Sequence, residues 1–266
     1  MNTKNKVVLV TGGGGGIGSG IAEAFAEQGA RVAVSDINGA YAETEAARIG
    51  RGVLAFQHDV TSPESWAALK CAIAGTLGPV DVLCNNAGIS LPFMPMEELP
   101  LEQFDRVMAI NLRGVFLGCQ AFMGEMKARR SGHIVNTSSL NGILPRGTFA
   151  SYCASKFAVA GMSEALRQEL EPFGVGVSIL YPGLTRSRMS EGQMDDLPDE
   201  IKKAIAGKMM EPVWLGRAVV RAVEANNLHI ITHSDNIDAL QTRVDALLGA
   251  FGEPAQPGFA GGRIAE

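Results

Sequence analysis

Short apolar runs rich in β-branched residues recur along the chain at 7–10, 32–34, 53–56, 80–83, 133–136, 175–180 and 228–231. Runs such as Val7-Val8-Leu9-Val10 show no polar alternation, which is the pattern of strands buried on both faces. Between them, 20–28, 63–75, 101–129, 151–172 and 212–227 place apolar residues at helical spacing. This alternation predicts right-handed βαβ crossovers. The expected fold is α/β, a single-domain, doubly wound parallel sheet of about seven strands with helices on both faces. Gly29, Gly78 and Gly174 stand where helices should stop. A last helical pattern at 235–251 completes a domain expected to span 1–251. Residues 252–266 then form a Gly-rich tail, expected to be flexible or to cross to a neighbouring subunit.

Composition narrows the function classes. Of 266 residues, 46% are hydrophobic and 19% charged, ample for one large core and contrary to disorder. Net charge is −5 with no basic stripe, so nucleic acid is not an expected partner. The start lacks the apolar segment and cleavage site of a signal peptide, and no apolar run approaches the roughly 18 residues of a membrane span. A cytoplasmic protein without membrane contact is expected. Cys71, Cys84, Cys119 and Cys153 make no CxxC motif, and the four histidines make no HExxH, so no metal site is expected.

The first strand runs directly into Thr11-Gly12-Gly13-Gly14-Gly15-Gly16-Ile17-Gly18, followed by a helical pattern. Missing Cβ atoms let such a turn bring its backbone against a pyrophosphate, whose charge is favoured at a helix N-terminus. The fold is thus expected to be Rossmann-like. Asp36 closes the second strand, eighteen residues after Gly18. A carboxylate there would accept hydrogen bonds from adenosine ribose hydroxyls and repel a 2′-phosphate, which favours NAD over NADP. No basic residue lies in the glycine turn or directly after Asp36.

A second constellation is Ser151-Tyr152-Cys153-Ala154-Ser155-Lys156, with Ser138 and Ser139 upstream. On a helix, Tyr152 and Lys156 share one face a turn apart. A phenol is a weak acid–base group at its reference pKa of about 10, and a neighbouring cation would favour its ionised form. Tyr152 is therefore the candidate for proton transfer.

With these motifs in place, the chain resembles the short-chain dehydrogenases/reductases to about residue 234. Gly12, Gly16, Ile17 and Gly18 look like that family's cofactor turn, with Asp36 and Ile37 at the adenosine ribose. Asp59-Val60 is similar to its adenine-contacting pair, and Asn85-Asn86-Ala87-Gly88 to its NNAG segment. Asn111, Ser139, Tyr152 and Lys156 match its catalytic tetrad. Ser139 is preferred over Ser138 because thirteen residues separate it from Tyr152. Pro182-Gly183 is similar to the nicotinamide segment. The usual PGxVxT here reads Pro182-Gly183-Leu184-Thr185-Arg186-Ser187. Thr185 would meet the carboxamide through its backbone, and Ser187 would keep the hydroxyl.

The resemblance implies an NAD(H)-dependent alcohol dehydrogenase or ketone reductase. Tyr152 would exchange the substrate proton, Lys156 would support the phenolate and hold the nicotinamide ribose, and Ser139 would bind the substrate oxygen. Asn111 would expose a helix carbonyl to a water joining Lys156 to solvent. A lid is expected at 184–211, carrying Met189, Met194, Leu197, Met209 and Met210; a small helical pair packed on the sheet is an equal alternative. Leu91, Phe93, Met94, Leu140, Pro145 and Phe149 would wall the pocket, so the substrate expected is an alcohol or ketone with an apolar body, an aryl-alkyl one among the candidates. Alternatives are a 3-oxoacyl-thioester reductase and, from another class, a non-catalytic NAD-binding sensor. A homo-oligomer, dimer or tetramer, is implied.

Overall fold

The computed structural model describes residues 1–192 and 198–251. Their contacts form two compact units, divided between Thr232 and His233. The first unit contains strands β1 (Val7–Thr11), β2 (Arg31–Asp36), β3 (Leu54–Gln57), β4 (Val82–Asn85), β5 (Gly132–Thr137), β6 (Val175–Tyr181) and β7 (His229–Ile231). They make one parallel sheet in the order β3-β2-β1-β4-β5-β6-β7. Successive crossovers run outward in one direction from β1 and in the other from β4. Between those two strands the connections diverge and leave a crevice at the carboxyl ends, where ligands settle in open α/β sheets.

The helices in chain order are α1 (Gly16–Glu27), α2 (Gly39–Ile49), α3 (Pro63–Thr76), α4 (Leu101–Met108), α5 (Gly114–Arg129), α6 (Ala150–Leu170), α7 (Arg188–Gly192), α8 (Asp199–Ala206) and α9 (Pro212–Ala225). On one face of the sheet, Ile21 and Phe25 of α1 and Leu215 and Val219 of α9 pack with Val8, Val10 and Val34. On the other, Trp66, Ile73, Phe122, Met126 and Val159 pack with Leu9, Leu83, Ile134 and Val177. Each fully buried side chain of this size stabilises the fold by about 1.5–3 kcal/mol. Helices α1 and α9 meet backbone to backbone: a Cβ on Gly20 would overlap the Pro212 carbonyl, and one on Gly216 the Gly20 carbonyl. The start of α1, which ends the glycine turn, is therefore anchored from behind.

Helix α2 was not among the helical segments expected from the sequence. It buries only the small residues Ala42 and Ala46, which leave little apolar periodicity; Asn38 caps it by accepting from the Tyr41 amide. The expected helix over 101–129 is interrupted by a π-helical turn at Ala109–Arg113. By length and mean hydropathy (1.3 over its most apolar window), Leu101–Arg129 also passes as a membrane span, although its apolar residues are interrupted by charges such as Arg106, Arg113 and Glu125. In this fold its apolar residues Val115, Leu117 and Phe122 instead belong to the core on one face of the sheet.

The segment expected as a lid contains the helical pair α7 and α8. Its two ends meet in a parallel bridge between Thr185 and Met210, closed by hydrogen bonds from Arg186 N to Met210 O and from Met210 N to Leu184 O, both 3.0 Å. Met209 is buried and Met189 exposed; Met194 and Leu197 lie outside the described residues. The second unit contributes helix α10 (Ile237–Gly249), bearing the exposed apolar residues Ile237, Val244, Leu247 and Leu248. The break in contacts at Thr232 falls before the expected domain end at 251, and the tail 252–266 lies outside the described residues.

Candidate active site

The glycine turn is stitched to the segment after β4 by Thr11, the residue that opens the turn motif, in a role the sequence did not indicate. Thr11 Oγ1 accepts from the Asn86 and Ala87 amides (3.0 and 3.1 Å) and donates to Cys84 O (3.4 Å). Asn86 Nδ2 returns a bond to Thr11 O at 3.0 Å. Gly12 and Gly16 have φ of +65° and +55°, the left-handed region that favours glycine. A Cβ on Gly12 would lie 2.8 Å from Ala87 Cα, and one on Gly18 would overlap the Gly12 carbonyl and stand 2.6 Å from Asn86 Nδ2. Ile17 lies between them in the first turn of α1, which carries no acidic residue. The helix N-terminus keeps its partial positive charge uncancelled. Backbone amides, missing side chains and this dipole suit an anionic phosphate.

Asp36 ends β2 beside the turn. Its Oδ2 accepts from Gly14 N at 3.1 Å and its Oδ1 from Asn38 N at 3.0 Å, so the carboxylate is held at the mouth of the crevice. Ile37 next to it is exposed. Asp59 turns its carboxylate onto Thr61, accepting from its amide (2.8 Å) and hydroxyl (2.7 Å); these bonds hold its carboxyl below the usual range. The Val60 carbonyl accepts from Trp66 Nε1 at 2.9 Å, and its side chain is packed where a Cβ on Gly114 would touch it at 3.0 Å.

The four candidate tetrad residues converge from three parts of the chain: the π-helical turn, the turn after β5, and α6. Ser138 and Ser139 follow β5 and separate in role. Ser138 Oγ donates to the Lys156 carbonyl at 2.8 Å and is spent on structure. Ser139 Oγ accepts from Asn141 N at 3.1 Å and also interacts with the Tyr152 phenol. On α6, Tyr152 and Lys156 stand one turn apart, with Lys156 Nζ 5.7 Å from the centre of the phenol ring. Lys156 is buried and donates to Thr137 O at 3.0 Å. Burial pushes its ammonium down to about 8.

Asn111 sits in the π-helical turn and is fully buried. Its Oδ1 accepts from Ile89 N (2.8 Å), and its Nδ2 donates to Ile89 O (2.9 Å) and Ser155 Oγ (3.3 Å). Ser155, also absent from the sequence-derived site, donates to Tyr152 O at 2.7 Å. One amide side chain thus ties the segment after β4 to helix α6. Gly88 lies between: a Cβ there would be 3.2 Å from Asn111 Oδ1 and 3.4 Å from Lys156 Nζ.

A cation beside Tyr152 was expected to favour its ionised form; in the buried site the phenol is shifted upward. Burial, the dominant cause, disfavours the phenolate more than the Ser139 contact favours it. Lys156 aims its ammonium at the Thr137 carbonyl, with Nζ 5.7 Å from the centre of the phenol ring.

The nicotinamide-segment residues border both regions. Pro182 O accepts from Leu140 N at 3.0 Å, joining this segment to the Ser139 turn. Gly183 O accepts from Thr185 Oγ1 at 3.2 Å, and Thr185 is buried. Ser187 caps α7, its Oγ accepting from Ser190 N at 3.1 Å, and stands against the turn, where a Cβ on Gly16 would be 2.7 Å from Ser187 Cβ. Among the expected wall residues, Phe149 stacks on Tyr152 (centroids 4.6 Å, 27° between planes) and Phe93 leans on Phe149 (4.6 Å, 35°). A run of three rings leads from the surface to the phenol. Met94 N donates to Thr148 O at 2.9 Å and pins the two wall segments together.

The family model of the short chain dehydrogenases matches residues 6–198. The chain is 35% identical over 215 residues to a 3-alpha-(or 20-beta)-hydroxysteroid dehydrogenase of Mycobacterium bovis, covering 81% of each chain. It is 39% identical over 220 residues to a D-threitol dehydrogenase of Mycolicibacterium smegmatis, covering 81% of this chain and 84% of that one. A solved structure from Novosphingobium aromaticivorans, assigned to the short-chain dehydrogenases, superimposes with a TM-score of 0.86 at 33% identity, over 97% of this chain and 91% of the other.

Proposed function

This chain belongs to the short-chain dehydrogenase family of oxidoreductases acting on alcohols, and we propose that it interconverts a secondary alcohol of apolar body and its ketone with NAD(H). The observation that carries the substrate class is the aromatic run Phe93, Phe149 and Tyr152, which lines the approach to the phenol with stackable apolar surface. The hydroxysteroid dehydrogenase relative acts on a substrate of that kind. Asp36 at the mouth of the glycine turn carries the preference for NAD, because its carboxylate would repel a 2′-phosphate.

Gly12, Gly16, Ile17 and Gly18 would hold the dinucleotide phosphates, Asp36 and Ile37 the adenosine ribose, and Asp59 and Val60 the adenine. Asn86, Ala87, Gly88, Pro182, Gly183, Thr185 and Ser187 would hold the nicotinamide half. The bound nicotinamide supplies the hydride acceptor or donor. Ser139 donates a hydrogen bond to the substrate oxygen and fixes it beside Tyr152. In ketone reduction the Tyr152 hydroxyl gives its proton to that oxygen; in alcohol oxidation the phenolate takes it back. A phenol raised by burial is protonated at neutral pH, so it is ready to act as the acid. Lys156 stabilises the phenolate that develops, and Asn111 holds the NNAG backbone and the catalytic helix in register.

A second reading has its own observation: the relative with 39% identity is a D-threitol dehydrogenase, whose substrate is a small polyol. Incubation of the protein with NAD or NADP and a panel of hydroxysteroids, 1-arylalkanols, polyols and 3-hydroxyacyl thioesters, followed by absorbance of the reduced cofactor, separates these readings. Turnover of the steroid and aryl members with NAD is the expected result. Turnover of polyols alone would replace the apolar reading, and equal use of NADP would remove the role given to Asp36. Exchange of Asp36 for Ala should narrow the NAD preference about tenfold, the value of one lost charge-assisted contact.

A further inference from the structure

Arg188, the first residue of α7, reaches across to the glycine turn. Its guanidinium donates to Gly14 O and lies over the Tyr41 ring with Cζ 3.9 Å from the centroid. A Cβ on Gly15 would come 2.6 Å from its Nη2, so the cation occupies the space a side chain at 15 would take. Beside it opens a cavity of about 320 Å³ whose wall includes Gly15, Gly16, Arg48, Arg186 and Arg188. Two of those arginines are committed to carboxylates: Arg48 to Glu23 and Glu45 (both 2.8 Å), and Arg186 to Glu211 (2.9 Å). Among the described residues, Arg188 has no carboxylate at ion-pair distance.

Resting on the reading of this turn as a dinucleotide site, we propose that Arg188 is a phosphate-binding residue of that site, delivered from α7 to the diphosphate of the cofactor. A guanidinium presents a planar fork of donors matched to phosphate oxygens, and here it stands next to a helix N-terminus whose first turn carries no acid. Two cofactor phosphates share this chemistry, the diphosphate and an adenosine 2′-phosphate. Asp36 decides for the diphosphate, because its Oδ2 is bonded to the amide of Gly14, the residue whose carbonyl Arg188 holds. A 2′-phosphate beside that carboxylate would be repelled. The glycine at 15 then has a second use: besides bending the chain, it clears the place of a cation borrowed from a distant part of the sequence.

The test is calorimetric binding of adenosine, ADP-ribose and 2′-phospho-ADP-ribose to the full chain and to Arg188→Gln. The expected result is ADP-ribose binding at least tenfold weaker in Arg188→Gln, with a flatter salt dependence and unchanged adenosine affinity. Retained adenosine binding shows that the variant is folded. Wild-type affinity of Arg188→Gln for ADP-ribose would overturn the proposal, as would a loss confined to the 2′-phosphorylated ligand. Failure of the unsubstituted protein to bind ADP-ribose would instead remove the dinucleotide reading on which the proposal rests.

Discussion

The catalytic corner and the glycine turn lie side by side at the carboxyl edge of the sheet and are built on opposite principles. In the corner, the side chains proposed to carry the chemistry are held by backbone groups: Lys156 by Thr137, Asn111 by Ile89, and Ser139 by Asn141 of its own turn. Lys156, Asn111 and Ser139 are all buried. At the turn, side chains are absent by necessity, because a Cβ on Gly12 or Gly18 would strike the neighbouring backbone. Its surroundings are exposed: Ile37, Tyr41 and the ion pairs of Arg48. Proton transfer needs fixed donors in a medium where fields are strong, while phosphate binding needs bare amides that a large ligand can reach. Each region fails in its own way when changed.

The largest effect is expected from Tyr152→Phe, which keeps the ring and its stack on Phe149 but removes the proton. Turnover should fall by about 10²–10⁴-fold with ADP-ribose affinity unchanged; turnover within tenfold of wild type would end the acid–base assignment. Gly18→Ala should do the reverse. Overpacking against Gly12 and Asn86 costs about 1–3 kcal/mol, read as ADP-ribose binding weakened five- to a hundredfold together with a lower melting temperature. Normal binding by the Gly18→Ala variant would show that the turn has more room than its contacts indicate.

A third prediction concerns pH. Lys156 has its pKa depressed to about 8, so it is charged below that value and neutral above it. Support for the developing phenolate is therefore present at pH 7 and lost as pH rises through 8. The rate of ketone reduction should fall by up to about tenfold per pH unit beyond that point. A profile flat to pH 10 would disconnect Lys156 from the proton step. The smallest effect is expected from Arg48→Ala at the wall of the turn. Its pairs with Glu23 and Glu45 lie at a partly exposed surface, so thermal stability should change by about 1 kcal/mol or less. A larger loss would make the exposed region as interdependent as the buried one.

Much of this contrast was legible in the residues. Seven apolar runs marked the seven strands, most plainly β1, β4, β5 and β6, which are buried throughout and have no room for polar alternation; the edge strands β3 and β7 are only partly buried. The glycine run marked the turn because no other residue tolerates its contacts. Tyr152 and Lys156 were visible because helical spacing alone puts them on one face. Helix α2 was not legible, since Ala42 and Ala46 bury too little surface to print a period on the sequence. The role of Thr11 was hidden because its partners, Asn86 and Ala87, are 75 and 76 residues away.

By itself, then, the sequence determined the layers, the strand count and the residue types available for chemistry, all of which follow from local periodicity and covalent sterics. Only the tertiary structure decided where the Lys156 ammonium points, that burial outweighs the Ser139 hydrogen bond at Tyr152, and that Arg188 arrives at Gly14 from 174 residues away. Those outcomes depend on which distant segments share a low-dielectric volume, and packing sets that after every local preference has been met.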